Sequence, residues 1–316
     1  MLGFFIVLLS SLLFCFQNVI VRVLFNEYTI LGIFQTGGFV TPNLQNSFLL
    51  LFMRMVLVVP LMSLLVPKLY PPTWKDIRKL SNSETRQLLL QALAGGLLMF
   101  LYLVLLYISV GLIPTGIALT LFFTYPVFTA LFSWGLFGNR PTLFRWSVMV
   151  LILLGIYLSL PNTQISADNQ TLIGVIAGVA SGVTYALYTV NAQKSFEKMH
   201  PVPFTWISFT TTLVLSVVSF LIWNVHDLEL AWAALWIGSL FSALFTFAGH
   251  LINNFGIRLI GAATVSMISA SNPALTVILA WLVIQETLNS LQLFGVVLVV
   301  LSVGLLGRES SLSRQA

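Results

Sequence analysis

"GAATVSMISASNPALTVILAWLVIQETLNSLQLFGVVLVVLSVGLL", residues 261–306, contains two apolar runs, near 262–284 and 291–307, parted by a short polar patch, QETLNS. A bilayer crossing takes about 20 predominantly apolar residues. Hydrocarbon offers no water to a backbone N–H or C=O, so a crossing segment must be a helix or part of a closed barrel. Runs this long and unbroken predict helices. Pro273 sits midway along the first run, where it removes one helical hydrogen bond and predicts a bend.

Working outward, the same character fills the chain. Apolar runs of spanning length lie near 2–24, 47–66, 88–109, 113–135, 144–160, 172–192, 203–223, 232–255, 262–284 and 291–307. Apolar residues are 58% of the 316 positions, charged residues 7%, and mean hydropathy is +1.00. Soluble domains carry roughly 25% charged residues, so lipid is the main solvent of this chain. The first run, Leu2 to Leu24, is too long for a signal core, follows no basic segment and precedes no small-x-small site. It reads as a retained span. Cys15, the single cysteine, excludes an internal disulfide and a cysteine-rich metal site.

Basic residues fix an expected orientation. With the N-terminus inside, 12 of the 14 Lys and Arg fall in inside segments, among them Lys68, Lys75, Arg78, Arg140, Lys194, Lys198, Arg258 and Arg308. Arg22 and Arg54 remain, both within spans, while Glu27, Asp168, Asp227, Glu229 and Glu286 lie outside. The +5 net charge therefore needs no nucleic-acid partner. The expected fold is all-α integral membrane, with ten transmembrane helices and both termini cytoplasmic.

The chain also repeats itself. Setting Pro126 over Pro273, 147 residues apart, puts Trp134 on Trp281, Thr115–Gly116 on Ala262–Ala263 and Asn139 on Glu286. A second match sets Gly3 over Gly174, Ser10 over Ser181 and Phe14 over Tyr185. Each half holds five spans, an odd number, so the halves are expected as inverted repeats, 1–160 and 172–308, with a cytoplasmic tail at 309–316.

These residues carry a resemblance. The small-residue start at Gly261, mid-span Pro273, Glu286 at the span end and the glycine-containing last helix resemble the second half of an EamA-type transporter, of the drug/metabolite transporter superfamily. Arg54 and "GLIPTGIALTLFFTYPVFTALFSWGLFGNRPT" (residues 111–142) resemble the first half more loosely. Two features depart from that pattern. Gly138–Asn139 stands where the family has Gly-Glu, and the outer loop from Phe25 to Asn46 is long and partly apolar. That loop reads either as a re-entrant or interfacial cap on the outer mouth or as a loosely ordered connection. The resemblance implies a transporter, with export the implied direction.

Candidate solute-binding residues follow from polar groups inside spans, where lipid penalises them. Ser239, Ser242, Thr246, His250 and Asn253 share one face of span eight. Span six offers Ser181, Tyr185, Tyr188 and Asn191, and its repeat partner offers Ser10, Phe14, Gln17 and Asn18. Such residues line a cavity or merely hydrogen-bond helix to helix. We take Gln17, Asn18, Tyr185, Tyr188, Asn191, Thr246, His250 and Asn253 as substrate-binding. Arg54 could bind a substrate carboxylate, pair with Glu27 or Glu286 as a gate, or snorkel; with Pro126, Pro273 and Glu286 it is assigned to gating and hinge roles. His250 is the one histidine within a span, and no span has Asp or Glu near its centre. It is the internal group able to exchange a coupling proton.

The expected function is secondary transport by alternating access of a small neutral, zwitterionic or amphipathic metabolite such as an amino acid, across the plasma membrane. A membrane-embedded enzyme would need paired carboxylates or clustered histidines, but His200, His226 and His250 fall in separate segments. A non-transporting membrane scaffold is the other alternative. No cofactor and no metal is expected. The expected partners are solute, lipid and protons, for a monomer or homodimer.

Overall fold

Because lipid leaves the backbone no other partner, nearly every apolar run closes into helix. The computed structural model describes all residues except Met1, Pro42, Ser81, Ser83, Glu84, Pro114, Asn139, 160–168, 223–229, 286–288 and 313–316. In chain order the elements are α1 (Leu2–Phe25), β1 (Glu27–Ile30), β2 (Phe34–Gly37), α2 (Leu44–Leu69), α3 (Thr73–Lys79), α4 (Arg86–Leu112), α5 (Thr115–Phe122), α6 (Tyr125–Phe137) and α7 (Leu143–Ser159). After these come α8 (Asn169–Ser195), α9 (Pro201–Ile222), α10 (Trp232–Ile260), α11 (Ala262–Ser269), α12 (Asn272–Ile284) and α13 (Ser290–Leu312). Among the described residues, 8 segments are long and apolar enough to cross a membrane, with α5–α6 and α11–α12 each forming one of them. Two shorter apolar helices, Leu143–Leu158 and Ser290–Leu305, lie at the fifth and tenth apolar runs. The chain is a multi-pass integral membrane protein.

Close helix pairs set the architecture: α1 lies along α10, α4 along α8, and α7 along α13. Small residues permit this closeness. A Cβ on Gly3 would stand 2.5 Å from the Ile260 side chain, and one on Gly174 would stand 2.7 Å from that of Ile113. Ser10 donates to the Gly249 carbonyl at 3.0 Å, and Ser181 to that of Tyr102 at 2.7 Å. Gly3 and Gly174, and Ser10 and Ser181, are pairs matched in the sequence. Their partners, Ile113 with Ile260 and Tyr102 with Gly249, are each 147 positions apart, the separation of the two prolines.

Each proline-containing span is interrupted by a two-residue turn that keeps right-handed helical dihedrals, with Thr124 at φ −72, ψ −11 and Ser271 at φ −70, ψ −15. In the first, α5 ends at Phe122 and α6 starts at Tyr125; in the second, α11 ends at Ser269 and α12 starts at Asn272. Pro126 and Pro273 sit in the first turn of the second piece, where a missing N–H costs nothing. At each break a hydroxyl folds back on the chain: Thr124 Oγ1 donates to Leu121 O at 2.6 Å, Ser271 Oγ to Ile268 O at 2.7 Å. Both second pieces end on a left-handed residue, Gly138 (φ 72) and Gln285 (φ 54).

The segment after α1 is ordered rather than loose. It folds into an antiparallel hairpin pairing Glu27 with Gly37 and Ile30 with Phe34, turned by Leu31 (φ 50) and Gly32 (φ 72). The hairpin is fastened to two helices. Leu31 N–H donates to Val283 O of α12 at 2.8 Å, and Gly38 N–H and Phe39 N–H donate to Val23 O and Leu24 O of α1 at 3.1 and 3.0 Å. Ile30 and Tyr28 pack against the buried Val19, Ala280 and Ile284. A side chain at Gly37 would collide with the Asn26 carbonyl, 2.2 Å away.

At the opposite end, His200 caps α9 by accepting the Val202 N–H on Nδ1 at 3.3 Å. Its ring stacks on Tyr70 at 3.9 Å, and Tyr70 donates to Asp76 at 3.0 Å. Burial first, then the Arg258 charge, hold the His200 pKa below 6.5, against a smaller pull from Asp76. A histidine depressed in this way takes up its proton more readily when unfolded, so its stabilising contribution is complete above pH 6.5 and lost as pH falls. Thermal unfolding followed from about pH 8 to about pH 5 should therefore show an acid-induced fall in Tm that is smaller in His200→Gln. An equal fall in both proteins would assign it to other groups.

Candidate functional site

α1 and α8 are the two helices around which the polar groups of the interior gather. Along α1, Ser10 reaches Gly249, and Phe14 meets the His250 ring edge-on at 4.8 Å. Cys15 Sγ lies 3.4 Å from the Asn272 carbonyl, and Asn18 Nδ2 lies 3.4 Å from Thr276 Oγ1. Gln17 is half-buried beside them. α1 thus touches both the polar stripe of α10 and the α11–α12 break. Along α8, Ser181 reaches Tyr102, Gly182 packs against the Phe122 carbonyl at the α5–α6 break, and Tyr185 meets Tyr125 edge-on at 4.7 Å. The Tyr125 hydroxyl faces Ser269 of the other break without closing a hydrogen bond of good geometry.

The expected site residues separate into two kinds. Thr246, His250 and Asn253 are buried on α10 with polar atoms that have no partner: Thr246 Oγ1, His250 Nδ1 and both amide atoms of Asn253. Ser269 Oγ and Asn272 Oδ1 at the second break share that condition. Buried polar groups are normally paired, and an orphan in a membrane interior is more costly still. Further buried orphans are Ser11 Oγ on α1, Gln91 Oε1 and Ser109 Oγ on α4, and Ser133 Oγ on α6. Tyr185 lies at the centre of an aromatic cluster with Tyr102, Phe122 and Tyr125.

Tyr188 and Asn191 are the other kind. Tyr188 is fully buried and faces Asn254, whose amide donates to Thr205 Oγ1 at 2.7 Å and to the Tyr188 hydroxyl at 3.3 Å. Asn191 Nδ2 donates to the Gln91 carbonyl of α4 at 2.8 Å. These contacts hold α8 to α9, α10 and α4. Arg54, on α2, is buried at 6% exposure rather than snorkelling. Glu286 and Asn139 lie outside the described residues. Reading from sequence missed Ser269, Tyr125 and Asn272. A signal existed for the last two, because each directly precedes the proline of its span.

Residues 1–160 and 172–308 match the model of the EamA-like transporter family. The chain is 56% identical over 310 residues to the uncharacterized transporter sll1319 of Synechocystis sp., spanning 98% of this chain and 94% of that one. It is 26% identical over 191 residues to the threonine/homoserine exporter RhtA of Escherichia coli K12, spanning 60% of this chain and 62% of that protein. A solved crystal structure superposes with a TM-score of 0.71 over 95% of this chain and 94% of its own, and at 13% identity that likeness speaks for the fold alone. A bilayer-spanning bundle with two broken helices, matched by this family's model over most of its length, belongs to the EamA-like transporter family of membrane transporters.

Proposed function

We propose that the chain is a secondary transporter that exports a small amino-acid-like solute across the plasma membrane by alternating access. The pair of broken helices carries this reading, because their bounds, prolines and capping hydroxyls correspond at one constant separation. With the paired contacts of Gly3 and Gly174, they support two five-helix repeats, 1–160 and 172–308, ten spans in all. Five spans put the second repeat upside down relative to the first, and the distribution of Lys and Arg favours cytoplasmic termini.

Broken helices near the midplane offer free backbone groups to a solute and a place to bend. Pro126 and Pro273 are the hinges in this scheme. Gln17, Asn18, Tyr185, Thr246, His250 and Asn253 form the wall of the path; Tyr188 and Asn191 support it through packing. Scarcity of charge in the interior and likeness to a threonine/homoserine exporter support a zwitterionic or neutral solute and an outward direction. His250 exchanges the coupling proton, since the span centres hold no carboxylate and a histidine can change charge in the range of cellular pH.

Proteoliposomes carrying the protein and a proton gradient should accumulate labelled threonine or homoserine above protein-free vesicles. His250→Gln should keep exchange of the same solute and lose gradient-driven accumulation. Failure to exchange any amino acid of a broad panel would overturn the substrate class. Undiminished accumulation by His250→Gln would overturn proton coupling and make the protein a facilitator.

A further inference from the structure

We propose that Arg54 is the cation of a carboxylate-binding site between α1, α2, α4 and α10, toward the hairpin end of the bundle. The inference rests on the transport reading and names the chemical group by which the solute is recognised. Arg54 is 6% exposed, its Nε has no hydrogen-bond partner, and no carboxylate among the described residues pairs with it. Arginine stays charged in proteins, and a buried charge is normally paired or hydrogen-bonded. A guanidinium retained only for structure would be expected to show such a partner.

Beside Arg54 is a cavity of about 20 Å³ lined by Val21, Leu24, Phe25 and Leu50 together with Ser47, Tyr107, Ser239 and Ser242. That space holds about one water-sized group. Ser239 Oγ is a second buried orphan in its wall. An anion oxygen seated there would accept from the guanidinium fork and from Ser239. A planar carboxylate matches that fork through two parallel N–H···O bonds, whereas a spherical ion does not. Ser239 and Ser242 of its wall lie on the same helix, α10, as Thr246, His250 and Asn253. The carboxylate end of a zwitterion would lie at Arg54, and the rest of the molecule would reach toward α10 and the aromatic cluster.

The test uses purified full-length protein in detergent and reads binding by thermal shift. Acetate is compared with acetamide, L-threonine with L-threoninol, and chloride serves as the inorganic anion. Each acid should bind roughly tenfold or more tightly than its neutral-headed counterpart, with the difference abolished in Arg54→Gln and partly kept in Arg54→Lys. The wild-type comparison stands even where a variant folds poorly. Discrimination for acetate without a response to threonine would support the site and overturn the amino-acid solute. Equal binding of acid and counterpart by wild type, or discrimination surviving in Arg54→Gln, would overturn the site while leaving transport intact. Chloride binding as tightly as acetate would overturn the carboxylate assignment in favour of a general anion site.

Discussion

Asn253→Leu should make the protein more stable and weaken its affinity for solute roughly tenfold or more. Asn253 is 1% exposed, and neither atom of its amide has a partner. A buried orphan polar group costs about 1–3 kcal/mol, and replacing it with an apolar group of similar shape removes that cost. The same amide, on the reading above, is a hydrogen-bonding contact of the solute. Losing about 1.4 kcal/mol or more of that binding lowers affinity roughly tenfold or more. Stability and activity therefore move in opposite directions, as at sites kept strained for function. The neighbouring residue supplies the control. Asn254 is bonded to Thr205 and Tyr188, so Asn254→Leu strands buried partners and should lower Tm. The measurements are Tm in detergent and initial transport rates in proteoliposomes. Wild-type transport by Asn253→Leu would reduce Asn253 to packing, and a fall in its Tm would reveal a partner for the amide.

The second large effect concerns folding. Gly96→Leu should leave little folded protein in the membrane, whereas Gly111→Leu on the same helix should accumulate normally. A Cβ at Gly96 would stand 2.4 Å from the Thr211 side chain and 2.7 Å from the Ser208 carbonyl of α9, while at Gly111 nothing lies within 4 Å. Backbone cannot give way as a flexible side chain can. Relieving the clash would separate α4 from α9 and break the bond from Thr212 Oγ1 to the Gly96 carbonyl, 3.1 Å long. Overpacking alone costs about 1–3 kcal/mol, and here helix contact along the α4–α9 interface is lost as well. Fluorescence-detected gel filtration of tagged protein gives the readout. A monodisperse, wild-type-sized peak for Gly96→Leu would show that α4 and α9 do not need this closeness.

How far the sequence foretold this arrangement depends on the range of the forces involved. Span positions were legible because lipid imposes one rule on every crossing segment, and that rule is written locally as apolar length. The broken helices were half legible. Pro126 and Pro273 marked the place, but not the two-residue turn before each, where the Thr124 and Ser271 hydroxyls bond back to the chain. The α10 stripe was visible from its helical spacing. Which asparagine is free was not, because Asn253 and Asn254 are adjacent and the difference comes from Tyr188 and Thr205 on other helices. The bonds of Tyr188 to Asn254 and of Asn191 to Gln91 were hidden for the same reason. A hydroxyl or amide in a span advertises that it needs a partner, and only packing reveals whether it has one. The hairpin was obscured by Leu31, a residue seldom found at φ 50.

That hairpin has a kinetic consequence. It ties α12 to α1 at one end of the bundle, and the described residues contain no second strand pair that could do the same at the other. Two matched halves alone would give a carrier whose two openings face similar barriers. Here, parting α1 from α12 at the hairpin end must either break the backbone bonds to Val283, Val23 and Leu24 or carry the hairpin along as cargo. The opposite end opens without that toll. In the proposed transport cycle, opening at the hairpin end therefore carries a cost that opening at the opposite end does not.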